Sequence, residues 1–136
     1  MKKRAQVLVV DDEPEILDTF RVRFRLEGID VELCDDPYEA LLKVQENYPA
    51  VVLCDIRMPG MSGVELLRQI KQVHPLCSVI MMTGYSSMAH VVDCLGSGAV
   101  DYFVKPFREI DEIIQAVQDA LKRAGRWRKA MPLARP

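Results

Sequence analysis

Histidine and cysteine are scarce: the 136-residue chain has two of the first and four of the second. Cys34, Cys54, Cys77 and Cys94 form no CxxC pair, and none stands at a Cys/His ligand spacing, so the usual signature of a zinc or dithiol site is missing. Buried free thiols in a reducing compartment are expected instead of disulfides. His74 precedes a proline at a helix end and His90 falls inside a helix, so both read as surface or packing residues. Long apolar runs are also missing. The start MKKRAQVLVV begins like a signal peptide but loses its apolar character at Asp11, short of the usual core of such a peptide. Nothing else is long enough to span a membrane, which makes a cytoplasmic location the expectation. The net charge of -2 is too small to argue for a nucleic-acid or membrane partner. No internal repeat or low-complexity segment is visible.

What is present is an ordinary globular composition, 49% hydrophobic and 28% charged, at a length suited to one domain with one core. Apolar, β-prone runs recur at QVLVV (6–10), DVELC (30–34), AVVLC (50–54), SVIMM (78–82) and YFV (102–104). Several are apolar almost throughout, as strands of a parallel sheet covered on both faces must be. Methionines such as Met81 and Met82 read as core filling, whereas Met58 and Met61, on the loop after the third run, are candidates for exposure.

Helical periodicity fills the gaps between these runs. Ile16, Leu17, Phe20 and Phe24 make one apolar face between Pro14 and a stop at Gly28. Asp36 caps a second helix with Pro37 as its first residue and Glu39 as capping-box partner, and Leu41, Val44 and Tyr48 form its buried side as far as Pro49. Ser62 and Glu65 open a third helix, which buries Val64, Leu67 and Ile70 and ends at His74 and Pro75. A fourth covers about 88–97 before Gly98. The last starts near Glu109 and buries Ile110, Ile113, Ile114, Val117 and Leu121.

No acidic residue follows Asp119, while Lys122, Arg123, Arg126, Arg128, Lys129 and Arg135 crowd the end. With Trp127 these form a basic tail or linker over 123–136, since Gly125, Pro132 and Pro136 oppose a stable helix. Contact with nucleic acid and extension of the last helix are the alternatives. Residues 1–122 then make up the domain.

Alternation of strand and helix with short crossovers predicts an α/β fold, a three-layer, doubly wound parallel sheet of order 2-1-3-4-5. The topological switch falls between the first and third strands, and ligands of such sheets bind at the carboxyl ends of the strands there. Asp11 and Asp12 follow the first strand and Asp55 the third. Converging carboxylates raise one another's pKa and need a cation. Oxygen-only ligands favour Mg²⁺ or Mn²⁺ over Zn²⁺. Lys105 at the end of the fifth strand adds an ammonium, and Thr83 with Gly84 after the fourth adds a hydroxyl and a backbone N–H. Together they suit a dianionic tetrahedral group, phosphoryl above all.

The fragments VLVVDDE, VVLCDIRMPGMSG, VIMMTGYSS and GAVDYFVKPF, in this order over about residues 5–122, closely resemble the receiver domain of two-component response regulators. The resemblance implies a phosphorylation-dependent signalling switch, not an enzyme in the ordinary sense, that takes part in its own phosphorylation and dephosphorylation. Asp55 would be the phosphoacceptor, taking a phosphoryl group from a histidine kinase or histidine phosphotransfer protein. Asp11, Asp12, Asp55 and the backbone carbonyl of Arg57 would hold Mg²⁺. Lys105 would pair with phosphoryl oxygens, its bond to Pro106 being cis, and Thr83 and Tyr102 would be the switch residues. Arg57 and Tyr85 would modulate the lifetime of the acyl phosphate, with bulky Tyr85 hindering attacking water. The output surface would be the fourth helix, fifth strand and fifth helix. Relatives of this kind commonly form homodimers there, although no residue compels it, and direct nucleic-acid binding by this domain is not expected.

Three rivals stand beside this reading. A Mg²⁺-dependent phosphatase with an Asp nucleophile would want a second Asp two residues on, where Arg57 stands. A flavodoxin-like flavin site would be repelled by DDEPE. A phosphorylation-independent binding module is disfavoured by the complete acceptor set.

Overall fold

The computed structural model of the chain describes residues 5–84, 88–108 and 110–131. Its elements alternate as β1 (Val7–Val10), α1 (Pro14–Leu26), β2 (Val31–Cys34), α2 (Pro37–Asn47), β3 (Val51–Asp55), α3 (Gly63–Val73), β4 (Ser78–Thr83), α4 (Met88–Gly96), β5 (Asp101–Val104) and α5 (Ile110–Ala130). All pairings are parallel and the sheet order is β2-β1-β3-β4-β5, as the alternation predicts. The central strands β1, β3 and β4 are buried along their whole length, whereas the edge strands β2 and β5 are only partly covered. That gradient explains why the central three read as unbroken apolar runs.

Period-2 alternation divides the core into two layers. On one face Val7, Val9, Val51, Leu53, Ile80 and Met82 meet Phe20 and Phe24 of α1 and Ile113, Ile114, Val117 and Ala120 of α5. The Phe20 and Phe24 rings stack at 5.7 Å, and truncating either to alanine would cost about 3–5 kcal/mol. On the other face Leu8, Val10, Val52, Cys54, Val79 and Met81 meet α2, α3 and Cys94 of α4. Cys94 is the one buried side chain of α4, so this helix is the most lightly anchored of the five. All four cysteines are buried and free.

Helix ends follow the residues that permit them. Pro14 sits in the first turn of α1, the Asp36 side chain accepts from the Tyr38 N–H, and Ser62 Oγ accepts from the Glu65 N–H at 3.2 Å. Three expectations need correction. Tyr48 is not on the buried side of α2: it closes the helix in the left-handed region at φ 48°, with its ring edge-on to His74 at 5.3 Å. Met58 and Met61 are buried because their loop folds back over the α3 layer. Finally, α5 does not stop before the basic stretch but continues through Gly125 to Ala130. One glycine costs about 1 kcal/mol in a helix, too little to stop a run rich in alanine, lysine and arginine. Asp111 and Glu112 in the first turn and Arg128 and Lys129 in the last complement the helix dipole.

Candidate functional site

Strand order reverses between β1 and β3, and their crossovers leave to opposite sides, opening a crevice above the carboxyl ends. Register decides which residues meet there. Val10 pairs with Cys54, so Asp11 stands level with Asp55. Asp55 pairs with Met82 and Thr83 with Val104, which puts Thr83 one step above Asp55 and Lys105 one step above that. Backbone bonds extend the ladder to the rim: Asp11 N to Cys34 O at 3.0 Å, Ile56 N to Met82 O at 3.0 Å and Lys105 N to Thr83 O at 2.7 Å. The side chains therefore project from an ordered edge instead of from free loops.

Asp11, Asp55 and Thr83 are buried, whereas Asp12 and Glu13 are exposed. The Lys105 ammonium, on a side chain only 8% accessible, lies 2.6 Å from Asp11 Oδ2, 3.3 Å from Glu13 Oε1 and 3.6 Å from Asp55 Oδ2. The Lys105–Pro106 peptide is cis. Asp11 Oδ1 is taken by the Glu13 N–H at 2.9 Å. Asp11 Oδ2 makes an ion pair with Lys105 but no aligned hydrogen bond, leaving a buried lone pair unsatisfied.

One ammonium does not neutralise this group. Burial, then the charge of Asp11, pushes the Asp55 carboxyl up to about 6, against the pull of Lys105 and of the Arg57 backbone N–H. Burial also raises Asp11, opposed by Lys105 and the Glu13 N–H. Lys105 is held above its usual value: burial favours its neutral form, but Asp11, Asp55 and Glu13 outweigh that. Carboxylate oxygens of Asp11, Asp12, Glu13 and Asp55 all lie within 4.8 Å of one another. An all-oxygen set with an orphaned buried acceptor fits a hard divalent cation.

Two residues of this site carry no assignment in the sequence reading. Glu13 reaches the ammonium; its signal was the third acid in the run DDE. Gly63 is the other. Its N–H donates to Ile56 O at 2.7 Å, and a Cβ there would lie 2.0 Å from the Asp55 carbonyl oxygen and 2.7 Å from Ile56 Cα. The loop after β3 can close only with glycine at this point, and the Pro-Gly and Ser-Gly pairs in 59–63 were the visible trace of it. Gly60, at φ 91°, lies under the Tyr38 ring.

Arg57 and His90 line a shallow groove with Ile56, Met58, Pro59 and Ser62. His74 is at a helix end, its pKa lowered by burial. Tyr102 is half-buried on β5, opposite Met81, and packs on the α3-side layer. Tyr85 lies outside the described residues. Met88, Val92, Leu95, Val100 and Val104 leave an exposed apolar strip along α4 and β5. Among the described residues no helix is long and apolar enough to cross a membrane.

The family model for the response regulator receiver domain matches residues 7–118, and the chain belongs to that family. It is 40% identical over 119 residues to the DNA-binding transcriptional regulator NtrC of Escherichia coli (strain K12), covering 88% of this chain and 25% of that protein. It is 39% identical over 119 residues to the transcriptional regulatory protein ZraR of Klebsiella oxytoca, covering 88% of this chain and 27% of that protein. The chain thus spans about a quarter of the curated relatives it matches. Among solved structures, a CheY-like response regulator receiver domain protein from Methanospirillum hungatei JF-1 superposes with a TM-score of 0.82 at 31% identity, over 91% of this chain and 99% of that one. The receiver domain of NtrX from Brucella abortus gives 0.79 at 33%, over 85% and 98%. The chain is a receiver domain of the two-component type, a phosphorylation-dependent signalling switch.

Proposed function

We propose that Asp55 is the phosphoacceptor and Lys105 its charge partner. One observation carries this reading: a buried carboxylate with a pKa of about 6 shares one ammonium with two further acids, so the rim is short of positive charge at neutral pH. The donor is a phosphohistidine on a histidine kinase or a histidine phosphotransfer protein. A carboxylate oxygen of Asp55 attacks phosphorus in line, the phosphorus–nitrogen bond breaks, and the imidazole leaves. Phosphoryl transfer has a loose transition state, so the protein contributes mainly position and charge. Lys105, fixed beside Asp55, meets the equatorial oxygens of the transferred group. Asp11, Asp12, Asp55 and the Arg57 carbonyl would hold Mg²⁺, or Mn²⁺ in its place, which when bound supplies the remaining positive charge. Water attack on phosphorus later restores the carboxylate and releases inorganic phosphate, and the residue types at Arg57 and Tyr85 would modulate its rate.

The response follows from what stands above the acceptor. Thr83, buried at the end of β4, gains a hydrogen-bond acceptor when Asp55 carries phosphate, and its movement draws the following loop inward. Tyr102 turns into the space released, and lightly anchored α4 shifts with it. The surface of α4, β5 and α5, with its exposed apolar strip, passes the change to an output or to a second copy of the chain. Residues 1–122 act as the receiver, and the basic stretch 123–136 is a tail or a linker.

Incubation with Mg²⁺ and acetyl phosphate tests this. Mass spectrometry should find one phosphoryl group, absent in Asp55→Asn and unstable to hydroxylamine as an acyl phosphate is. Catalytic turnover of donor without a stable adduct would favour the phosphatase reading, and no reaction at all would favour a binding module.

A further inference from the structure

Glu13 stands at the N-cap of α1 with the extended backbone usual there, φ -92° and ψ 114°, and its carbonyl accepts from Ile16 and Leu17, yet its side chain accepts no hydrogen bond from the first turn. Aspartate, serine or threonine would do that work better. The side chain turns to the rim, where Glu13 Oε1 accepts a hydrogen bond from Lys105 Nζ at 3.3 Å. Its starting point is pinned, because its own N–H is bound to Asp11 Oδ1 at 2.9 Å and Pro14 fixes the next φ. The acceptor chemistry proposed above assigns Glu13 no part.

We propose that Glu13 is a positioning residue that competes with the transferred phosphoryl group for Lys105, while its charge tightens binding of a divalent cation at the same rim. The inference rests on the reading of Asp55 as acceptor. A lysine ammonium has three protons. Here three carboxylates face them, Asp11 at 2.6 Å, Glu13 at 3.3 Å and Asp55 at 3.6 Å. Of the three, Glu13 holds the hydrogen bond, the Asp11 contact being an unaligned ion pair and Asp55 lying farther off, so a phosphoryl oxygen arriving at the ammonium competes with Glu13 first. Asp11 and Asp55 are buried and cannot withdraw into water, whereas the Glu13 side chain is 54% accessible and can. Glu13 is therefore the partner that leaves. A half-exposed pair of this kind shifts an equilibrium about twofold to fivefold. Toward a divalent ion the sign is opposite, because one negative charge fewer within a few ångströms weakens binding about threefold to tenfold at ordinary salt.

The opposed signs make the test. Mn²⁺ binding to the unphosphorylated chain is measured by calorimetry, and the rate of phosphorylation by acetyl phosphate is measured with each variant saturated with Mg²⁺. Glu13→Gln should weaken Mn²⁺ about threefold to tenfold yet speed phosphorylation about twofold to fivefold. Glu46→Gln, the same charge change at an exposed site on α2, should do neither. Unchanged ion affinity, an unchanged or slower rate at saturation, or a matching effect of Glu46→Gln would overturn the proposal. Failure of the underlying reading looks different: wild type takes up no phosphoryl group, or Asp55→Asn retains it, and the proposal then falls with it.

Discussion

Replacing Asp55 by asparagine should make the metal-free protein more stable, not less, at neutral pH. In the folded chain burial and the neighbouring Asp11 charge lift the Asp55 carboxyl from 3.8 to about 6. Each tenfold in a proton equilibrium corresponds to about 1.4 kcal/mol, so carrying the charge at position 55 costs the native state about 3 kcal/mol. The folded state binds this proton more tightly than the unfolded chain does. Its contribution to stability is therefore present below pH 3.8, is lost as pH rises toward 6, and stays lost above that. Asparagine keeps the shape without the charge, and Lys105 retains Asp11 and Glu13 as partners.

The assay is urea unfolding in EDTA, followed by circular dichroism, for wild type and Asp55→Asn at pH 7.5 and pH 4. The variant should be about 2–3 kcal/mol more stable at pH 7.5, with a melting temperature roughly 6–10 °C higher, and the gap should nearly close at pH 4. Adding Mg²⁺ at pH 7.5 should stabilise wild type and narrow the gap, because an ion that binds only the folded state adds stability by mass action. A variant no more stable than wild type in EDTA at pH 7.5, or a gap equally wide at pH 4, would refute the claim that Asp55 is held in an unfavourable charged state.

Gly63→Ala should destabilise by about 3 kcal/mol or more, since the new Cβ would meet backbone atoms 2.0 Å and 2.7 Å away that cannot yield separately from the acceptor strand; denaturant midpoints give the value, and a loss under about 0.5 kcal/mol would contradict the loop path. Arg68→Ala removes the ion pair of α3 to α4, 3.0 Å from Arg68 to Asp93 and half-exposed at both ends. Global stability should fall by less than about 1 kcal/mol, yet amide exchange across 88–96 should accelerate while that of α3 stays near wild type.

The legible part of the fold and site shares one property: it depends on position along a strand and on little else. A central strand must be apolar on both faces, so Val7–Val10, Val51–Asp55 and Ser78–Thr83 declare themselves, and the polar residue that ends each apolar run, Asp11, Asp55 or Thr83, marks the rim. Asp11, Thr83 and Lys105 could thus be assigned to one edge before any contact was known. Features set by where a side chain turns were not legible. Glu13 carries no assignment in the sequence, and only its side-chain direction, toward Lys105 instead of the first turn of α1, brings it into the site. Met58 and Met61 read as loop residues until the chain doubles back at Gly60 and Gly63. The continuation of α5 past Gly125 was misjudged for another reason: a local breaker was weighed above the summed propensity of its neighbours.

Burial sets how far a change of charge at this rim can reach, and on the proposed reading it lets one rim serve as acceptor and as switch. Had Asp55 been solvated, its charge would interact weakly with Thr83 and Lys105, and phosphorylation would alter little beyond a surface potential. Set at the end of a fully buried strand, it keeps the native state under a strain of about 3 kcal/mol that an ion or a rearranged hydrogen-bond network relieves. The groups able to respond stand on β4 and at the end of β5, the side of the sheet flanked by α4, where the chain has least buried surface to hold it. In the proposed switch, charge chemistry at the buried centre would reach the edge that carries α4 through two adjacent strands. A difference of about 3 kcal/mol can shift a two-state population by roughly a hundredfold, enough for a helix that buries the one side chain Cys94 and far too little for one packed as α1 or α5 is.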